Sequence, residues 1–393
     1  MPNVLHRKFA ALSAVAVVVL TSLLLMVPAF RAADTLPSQL TDEQLWGMVA
    51  KTGFSDECGS FRSENYLSNE MTFQNVIKPL NAAAKAGGVY MGVGPEQNFT
   101  YIVALHPKMA FIVDVRCGNM REHMMYKALF EMSDTRVDFL SRLFSRKRPE
   151  GLADNATTDQ IFAALDRVQP DQKLFEKNVM DIEDLLVKTH KFGLSADDLD
   201  GIDTIYRVFF IYGPNINYSA SPVGGGLGGG RGGMPNYADL MTATDQQGNL
   251  VPGVNRSFLG SEENYKVIRD MEKKNLIVPL VDNFAGSKAI RSVGKYLKDH
   301  DAVVSAFYLS NVEQYLFMDG IEDRFYNNVK TLPLDASSTF LRSGRPNGQS
   351  GGGFGGPGGG LVSMLSSIED VLKAFDAGRL RNWNDVINLS SAP

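Results

Sequence analysis

Two short apolar segments, joined by a glycine-containing turn and a helical segment, occupy residues 88 to 116. The first runs from Val89 to Val93 and the second from Met109 to Val115, and both are continuously apolar rather than alternating. Continuous apolar strands are typical of parallel strands that are covered on both faces. The order strand, turn, helix, strand therefore predicts an α/β fold built on a Rossmann-like, mostly parallel sheet.

Further segments extend this pattern along the chain. Strands are predicted at residues 206–214, 275–283, 302–311 and 338–343, with helical segments between the later ones. Apolar residues three or four apart predict a helical insertion over about residues 119–200. The pattern T-x-x-Q from Thr41 to Gln44 fits a capping box at the start of a helix. Residues 361–380 are predicted to form a C-terminal helix.

The first 33 residues form a segment of a different kind. His6, Arg7 and Lys8 precede a run from Phe9 to Phe30 without a charged residue. This pattern is typical of a secretory signal peptide, although the run is also long enough for an uncleaved N-terminal anchor. In both cases the basic flank keeps the N-terminus inside, so the rest of the chain is expected to be extracytoplasmic.

Residues 34–393 are expected to form one α/β domain, although about 360 residues can bury either one large core or two smaller ones. Their composition is that of a globular protein. The chain is 44% hydrophobic and 21% charged, with a net charge of −5. Removal of the first 33 residues removes three positive charges, and an acidic protein of this kind is not expected to bind nucleic acid. Glycine-rich stretches at 221–235 and 345–361 predict two disordered loops.

The cysteines and histidines of the chain limit which disulfides and metal sites it can form. Cys58 and Cys117 are the two cysteines of the chain. In an oxidising compartment they can form a disulfide, but two unrelated thiols are an equally good interpretation. The five histidines show no zinc-binding spacing, so no metal site is predicted.

The glycine turn after the first strand is the candidate ligand site. Gly92 and Gly94 allow a tight turn and a close approach of a ligand to the backbone. The following helix would offer free N–H groups at its positive end. Asp114 falls about 20 residues later, at the end of the next strand, where a carboxylate can accept hydrogen bonds from ribose hydroxyls. The alternative is that the glycines are only geometric and that Asp114 caps a helix or pairs with Arg116.

The chain resembles class I S-adenosylmethionine-dependent methyltransferases, in the form seen in a family of secreted bacterial proteins. The resemblance covers roughly residues 60–150 and 255–345 and depends on "SNE…FQ", "GVYMGVGPEQNFTYI", "AFIVDVR", "SEENY", "VPLVDNFAGSKAIR" and "SAFYLSNVEQYLF". It implies S-adenosylmethionine as cofactor, and the acidic turn suits a cationic ligand without phosphate. The predicted cofactor residues are Gly92, Gly94, Glu96, Gln97, Asn98, Asp114 and Arg116.

A candidate substrate pocket is predicted from residues at the ends of later strands, namely Asp282, Asn283, Asn311, Glu313 and Tyr315. The alternative for the last three is the start of a helix with Asn311 as its N-cap. The Asn/Asp-Pro-Pro-aromatic signature of amino-methylating enzymes is absent. Two functions therefore remain open: a methyltransferase acting on a small molecule or envelope component, and a binding or scaffold protein that has retained the fold without catalysis.

Overall fold

The computed structural model describes residues 34–153, 155–221, 234–345 and 361–393. The predicted signal or anchor segment and nearly all of the two glycine-rich stretches lie outside these residues. The chain divides into two units, Met1–Thr35 and Leu36–Pro393, and every element described below belongs to the second. No helix in these ranges is both long and apolar enough to cross a membrane.

Six strands form one sheet in the order β3-β2-β1-β4-β5-β6. All neighbours are parallel except β5 and β6. Every residue of β1 to β5 is buried, which agrees with strands covered on both faces. The strands are β1 (Val89–Gly92), β2 (Met109–Asp114), β3 (Ile277–Val281), β4 (Val304–Tyr308), β5 (Thr339–Gly344) and β6 (Val362–Ser367).

Helices pack on this sheet and on one another. The helix predicted from Thr41 is confirmed, because the Thr41 side chain accepts a hydrogen bond from the backbone N–H of Gln44 in a capping box. The described helices are α1 (Asp42–Val49), α2 (Ile77–Ala83), α3 (Gln97–Leu105), α4 (Cys117–Glu131), α5 (Arg136–Leu143), α6 (Thr158–Leu165), α7 (Gln172–Glu183), α8 (Ala196–Tyr212), α9 (Tyr237–Thr242), α10 (Glu262–Lys273), α11 (Ala289–Asp299), α12 (Val312–Asp319), α13 (Glu322–Val329), α14 (Ile368–Asp376) and α15 (Trp383–Asn388).

The two edges of the sheet differ. The edge strand β3 contains Pro279, which an edge tolerates because one side of the strand needs no ladder hydrogen bonds. The other edge strand, β6, is partly covered by the C-terminus, since Leu365 and Ser391 exchange backbone hydrogen bonds of 2.9 and 2.8 Å. Such cover protects an edge from pairing with another chain.

The strand predicted at residues 206–214 is wrong, because this stretch is the second half of helix α8. The helix begins with a capping box at Ser195 and Asp198. Ile202, Tyr206 and Phe209 then recur at helical spacing and are buried. The strong local preference of aromatic and β-branched residues for strands is overridden by packing of this continuous apolar face.

The C-terminal helix predicted over residues 361–380 is wrong in its first part. Residues Val362–Ser367 form strand β6, which pairs antiparallel with β5, and the helix begins only at Ile368. The rest of the predicted element is confirmed as helix α14. The block at about 119–200 is helical, and its first helix, α4, packs on β3; a separate inserted subdomain there stays a prediction.

Candidate functional site

The candidate site is a cleft at the carboxyl edge of the sheet, where β1 and β4 lie side by side. Strand order reverses between these two strands, and such a reversal is where open α/β sheets bind ligands. The cleft has a volume of about 1890 Å³. Of the residues predicted to bind cofactor or substrate, it is lined by Gly94, Gln97, Asp114, Arg116, Asn283, Asn311 and Tyr315.

The glycine turn is held by Asn98. Its Nδ2 donates to the backbone oxygens of Val93, Gly94 and Pro95 at 2.8 to 2.9 Å, and its Oδ1 accepts from the Tyr90 hydroxyl at 2.8 Å. A Cβ on Gly92 would lie 1.9 Å from this Oδ1. Gly92 and Asn98 therefore shape the turn from within the protein rather than contact a ligand, which corrects their predicted role.

Gly94 is the glycine that faces the cleft. Its φ is +79°, a conformation that other residues rarely adopt, and, apart from its two chain neighbours, no described residue has an atom within 4 Å of where its Cβ would be. The space in front of the turn is thus open. Its backbone oxygen points the other way and contacts Nε2 of His123 at 2.9 Å.

Asp114 and Arg116 form a buried ion pair at the end of β2. The Asp114 oxygens accept from Nε and Nη2 of Arg116 at 3.0 and 2.8 Å, and Oδ1 also accepts from the Arg116 backbone N–H at 2.9 Å. Burial alone would lower the pKa of Arg116, but Asp114, Glu122 and Glu64 raise it overall. The arrangement thus matches the pairing interpretation of Asp114.

One atom of this pair remains without a partner. Nη1 of Arg116 is buried and has no hydrogen-bond partner among the residues that the structure describes. Arg116 is 5% exposed and lines the cleft. Leaving a buried donor unpaired costs roughly 1–3 kcal/mol, so a ligand acceptor or a water molecule is the natural partner of Nη1.

A disulfide fixes one wall of the cleft. Cys58 is bonded to Cys117, the first residue of α4, and this decides between the two interpretations of the cysteines. The segment 55–61, which we call the strap, also donates backbone hydrogen bonds from Asp56 to Val281 and from Gly59 to Val115. The strap therefore crosses the ends of β3 and β2, and its Ser60 and Phe61 line the cleft.

Glu70 is a site residue that sequence reasoning missed. It is 3% exposed, yet it lines the cleft between the ends of β1 and β4. Its Oε1 accepts from the Tyr308 hydroxyl at 2.8 Å and from the Ser310 hydroxyl at 2.7 Å, and its Oε2 accepts from Nε2 of Gln97 at 2.7 Å. Gln97, predicted to bind cofactor, thus contacts both the cleft and this carboxylate.

The backbone at Ser310 supports the same network. Its φ is +47°, in the left-handed region that costs a residue with a side chain roughly 1–3 kcal/mol. The backbone oxygen of Ser310 also accepts a 2.8 Å hydrogen bond from the backbone N–H of Ser343. Surrounding structure therefore holds a disfavoured conformation that directs the Ser310 hydroxyl to Glu70.

Two further carboxyl groups are buried behind the glycine turn. Glu96 is 1% exposed; burial raises its pKa to about 8, and its Oε1 accepts from the Ser68 N–H at 3.2 Å. Burial, then the nearby Glu96, raise the pKa of Glu122 as well. Burial lowers the pKa of His123 to about 4. Glu122 and His123 are thus buried as well. Glu96, which was predicted to bind cofactor, does not line the cleft.

The predicted substrate residues separate into two groups. Asn283, Asn311 and Tyr315 line the cleft, and the ring of Tyr315 lies edge-on to Phe61, 5.0 Å away. Asn311 occupies the N-cap position of α12 without a side-chain capping bond. The cleft therefore retains three of the polar groups that the strand ends were expected to supply.

Asp282 and Glu313 have structural contacts instead, and their predicted place in the pocket is corrected. Asp282 accepts backbone hydrogen bonds from Lys288 at 3.2 Å and Ala289 at 2.6 Å, at the start of α11. Glu313 is fully buried, and its Oε1 accepts from the Tyr326 hydroxyl at 2.7 Å and from Nη2 of Arg342 at 3.0 Å. These contacts stabilise the fold away from the cleft.

Within the described ranges, no group of three or more His, Cys, Asp or Glu side chains is placed to hold a metal ion. The chain matches a family model described as "Domain of unknown function (DUF7790)" over residues 66–184 and 242–356. This is more than half of its length. The chain belongs to the DUF7790 family. No curated protein matches it.

Proposed function

We propose that this DUF7790 protein is an exported binding protein that holds a nucleoside-type ligand, S-adenosylmethionine or a relative of it, in the cleft. The observation that carries the proposal is that one cleft at the strand-order reversal contains both the open space in front of Gly94 and Arg116, whose Nη1 has no partner among the described residues. A nucleoside can lay its sugar against the turn and accept a hydrogen bond from Arg116.

The proposal differs from the sequence expectation in one respect. Asp114 was expected to accept hydrogen bonds from a ribose, but both of its oxygens already accept from Arg116, whereas Nη1 of that arginine has no partner among the described residues. We therefore assign the ligand contact to Arg116, with Asp114 holding that side chain in place. The methyltransferase-like relationship of the fold is part of this proposal, supported by a Rossmann-like strand order and by the glycine turn.

Methyl transfer is a second candidate function, and the size of the cleft favours it. A volume of about 1890 Å³ exceeds the roughly 300–1,000 Å³ of a typical small-molecule pocket. A second molecule therefore has room beside the nucleoside. In this reaction the S–CH₃ bond of S-adenosylmethionine breaks, a bond from the methyl group to the acceptor forms, and S-adenosylhomocysteine leaves.

The extracytoplasmic location is also a proposal. It rests on the N-terminal sequence pattern and gains support from the disulfide, since disulfides persist mainly in oxidising compartments. A ligand made in the cytoplasm must then reach the protein after export, which favours binding over repeated turnover.

Isothermal titration of the exported protein with S-adenosylmethionine and S-adenosylhomocysteine tests ligand binding. The variant Gly94→Asn fills the space in front of the turn, because asparagine tolerates a left-handed backbone. We expect it to weaken binding at least about tenfold, since the side chain occupies the position of the ligand. Gly87→Asn is the matched control, with a φ of +76° and no atom within 4 Å of its Cβ position.

Two results would contradict the proposal. One is the same affinity in Gly94→Asn and in the wild-type protein; the other is no binding of either compound at millimolar concentration. Formation of S-adenosylhomocysteine from bound S-adenosylmethionine, measured with extracts of the cell envelope as acceptor, separates catalysis from binding alone.

A further inference from the structure

The carboxyl group of Glu70 is buried and has no cationic partner among the residues that the structure describes. Its three hydrogen-bond donors, from Gln97, Tyr308 and Ser310, are all neutral side chains. None of the ion pairs within 4.0 Å among residues 34–153, 155–221, 234–345 and 361–393 includes Glu70. Buried charges are normally paired, so this one calls for an explanation.

The other buried acids that line the cleft have such partners. Asp114 is paired with Arg116 at 2.8 Å, and Asp245 with Arg256 at 2.7 Å and with Lys78 at 3.1 Å. Glu70 differs from them in being held only by hydroxyl and amide groups. These donors stabilise the ionised carboxylate and fix its orientation without neutralising its charge.

The effect of this charge extends to its neighbours. Burial raises the pKa of Tyr101 and of Tyr308, and the negative charge of Glu70 raises both further. Tyr308 therefore stays protonated and keeps donating to Glu70. The network places a carboxylate, surrounded by neutral donors, at the floor of the cleft.

The lining of the cleft suits a positively charged group. Besides Tyr308, it contains four aromatic side chains: Phe61, Tyr218, Phe284 and Tyr315. Aromatic faces attract cations, and a buried carboxylate attracts them more strongly because little water screens it. An anionic ligand group would instead be repelled by Glu70.

We infer that Glu70 is the cation-binding group of the cleft and that it binds a protonated amine of the ligand. This inference deepens the proposed function by naming one chemical feature of the ligand: an N–H-bearing cation seated between the ends of β1 and β4. A carboxylate oxygen has room for two acceptor interactions, and Oε2 has one described partner, so it can accept from the amine.

Saturation-transfer NMR with three small probes tests the inference without knowledge of the natural ligand. Methylammonium carries charge and N–H donors, tetramethylammonium carries charge without donors, and methanol is neutral. We expect methylammonium to bind most tightly to the wild-type protein. Glu70→Gln keeps the side-chain shape but removes the charge, and should weaken methylammonium binding at least about tenfold.

Asp319→Asn is the matched control, because it removes the same charge from an exposed residue that also lines the cleft. It should leave methylammonium binding within about twofold of wild type, since exposed charges are screened. If Glu70→Gln does not fold, the preference of the wild-type protein for methylammonium over methanol and tetramethylammonium tests the inference without a variant.

The inference is overturned if methylammonium binds no more tightly than methanol, or equally to the wild-type protein and Glu70→Gln. Failure of the proposed function looks different. In that case the nucleosides do not bind, while the effect of Glu70→Gln on methylammonium persists.

Discussion

Glu96 and Glu122 are carboxylic acids placed where their ionised forms are poorly solvated. Oε2 of Glu96 and Oε1 of Glu122 have no hydrogen-bond partner among the described residues. Burial, and then the charge of Glu96, raise the pKa of Glu122. Burial raises the pKa of Glu96 to about 8, so Glu96 is expected to be protonated at neutral pH, directly behind the turn that faces the cleft.

The raised pKa of Glu96 makes stability depend on pH. Its value of about 8 compares with 4.5 for an unburied glutamate, so between these limits the folded chain keeps a proton that the unfolded chain releases. The free energy of unfolding therefore falls as the pH rises through this range. We expect Glu96→Gln to reduce that slope by up to roughly 1.4 kcal/mol per pH unit.

Urea unfolding at intervals between pH 5 and pH 8 measures this slope. Glu150→Gln is the control, because Glu150 is exposed and its substitution should leave the slope unchanged. Equal slopes for the wild-type protein and Glu96→Gln would mean that Glu96 is ionised in the fold.

At the scale of elements, most of the sheet was predictable from the sequence. Strands β1 to β4 are short, mostly apolar buried runs that adjacent turns and helices delimit, so local pattern is sufficient to find them. Strand β5 was also predicted, although it contains the buried polar residues Thr339, Arg342 and Ser343. Strand β6 was not predictable in this way. Its "VSMLSS" continues directly into the amphipathic helix α14, and only pairing with β5 makes it extended.

The strap is the element whose role depends most on a covalent bond. Cys58 and Cys117 are separated by 59 residues in the chain. Closing a loop of this size typically stabilises a fold by about 2–4 kcal/mol. We expect the double variant Cys58→Ser/Cys117→Ser to lose about this much free energy of unfolding, measured in urea.

The same variant should expose the strap. Arg62 follows it directly, so trypsin is expected to cut there faster in the double variant than in the oxidised wild-type protein. Reduced wild-type protein should behave like the variant, whereas reductant should not change the variant further. Equal cutting rates in oxidised and reduced protein would show that the strap is held without the disulfide.

At the scale of the whole molecule, the site joins segments that are far apart in the chain. Glu70 lies 27 residues from Gln97 and 238 residues from Tyr308. The turn at Gly94 and the pair Asp114 and Arg116 could be found from the sequence because one βαβ unit contains them. The role of Glu70 could not, since it depends on the parallel pairing of β1 with β4.

Export of the whole molecule is tested at its N-terminus. We expect the exported chain to begin near Ala33 or Asp34, because the basic and apolar pattern before them is typical of a cleaved signal. N-terminal sequencing of the chain from the envelope or secreted fraction measures this. Arg7→Glu/Lys8→Glu removes the basic flank and should reduce export. Recovery of the exported chain with Met1 in place would identify the segment as an anchor.

The disulfide of the strap relates the timing of ligand binding to the timing of export. This disulfide sets one wall of the cleft, and thiols remain reduced in the compartment where chains are made. If export occurs as we propose, the protein is exported with both cysteines reduced, and the strap becomes fixed as a wall of the cleft only after the disulfide forms. Ligand binding would then depend on formation of the disulfide. The reduced protein would not bind the ligand in the compartment where the chain is synthesised, and the oxidised protein would bind it after export.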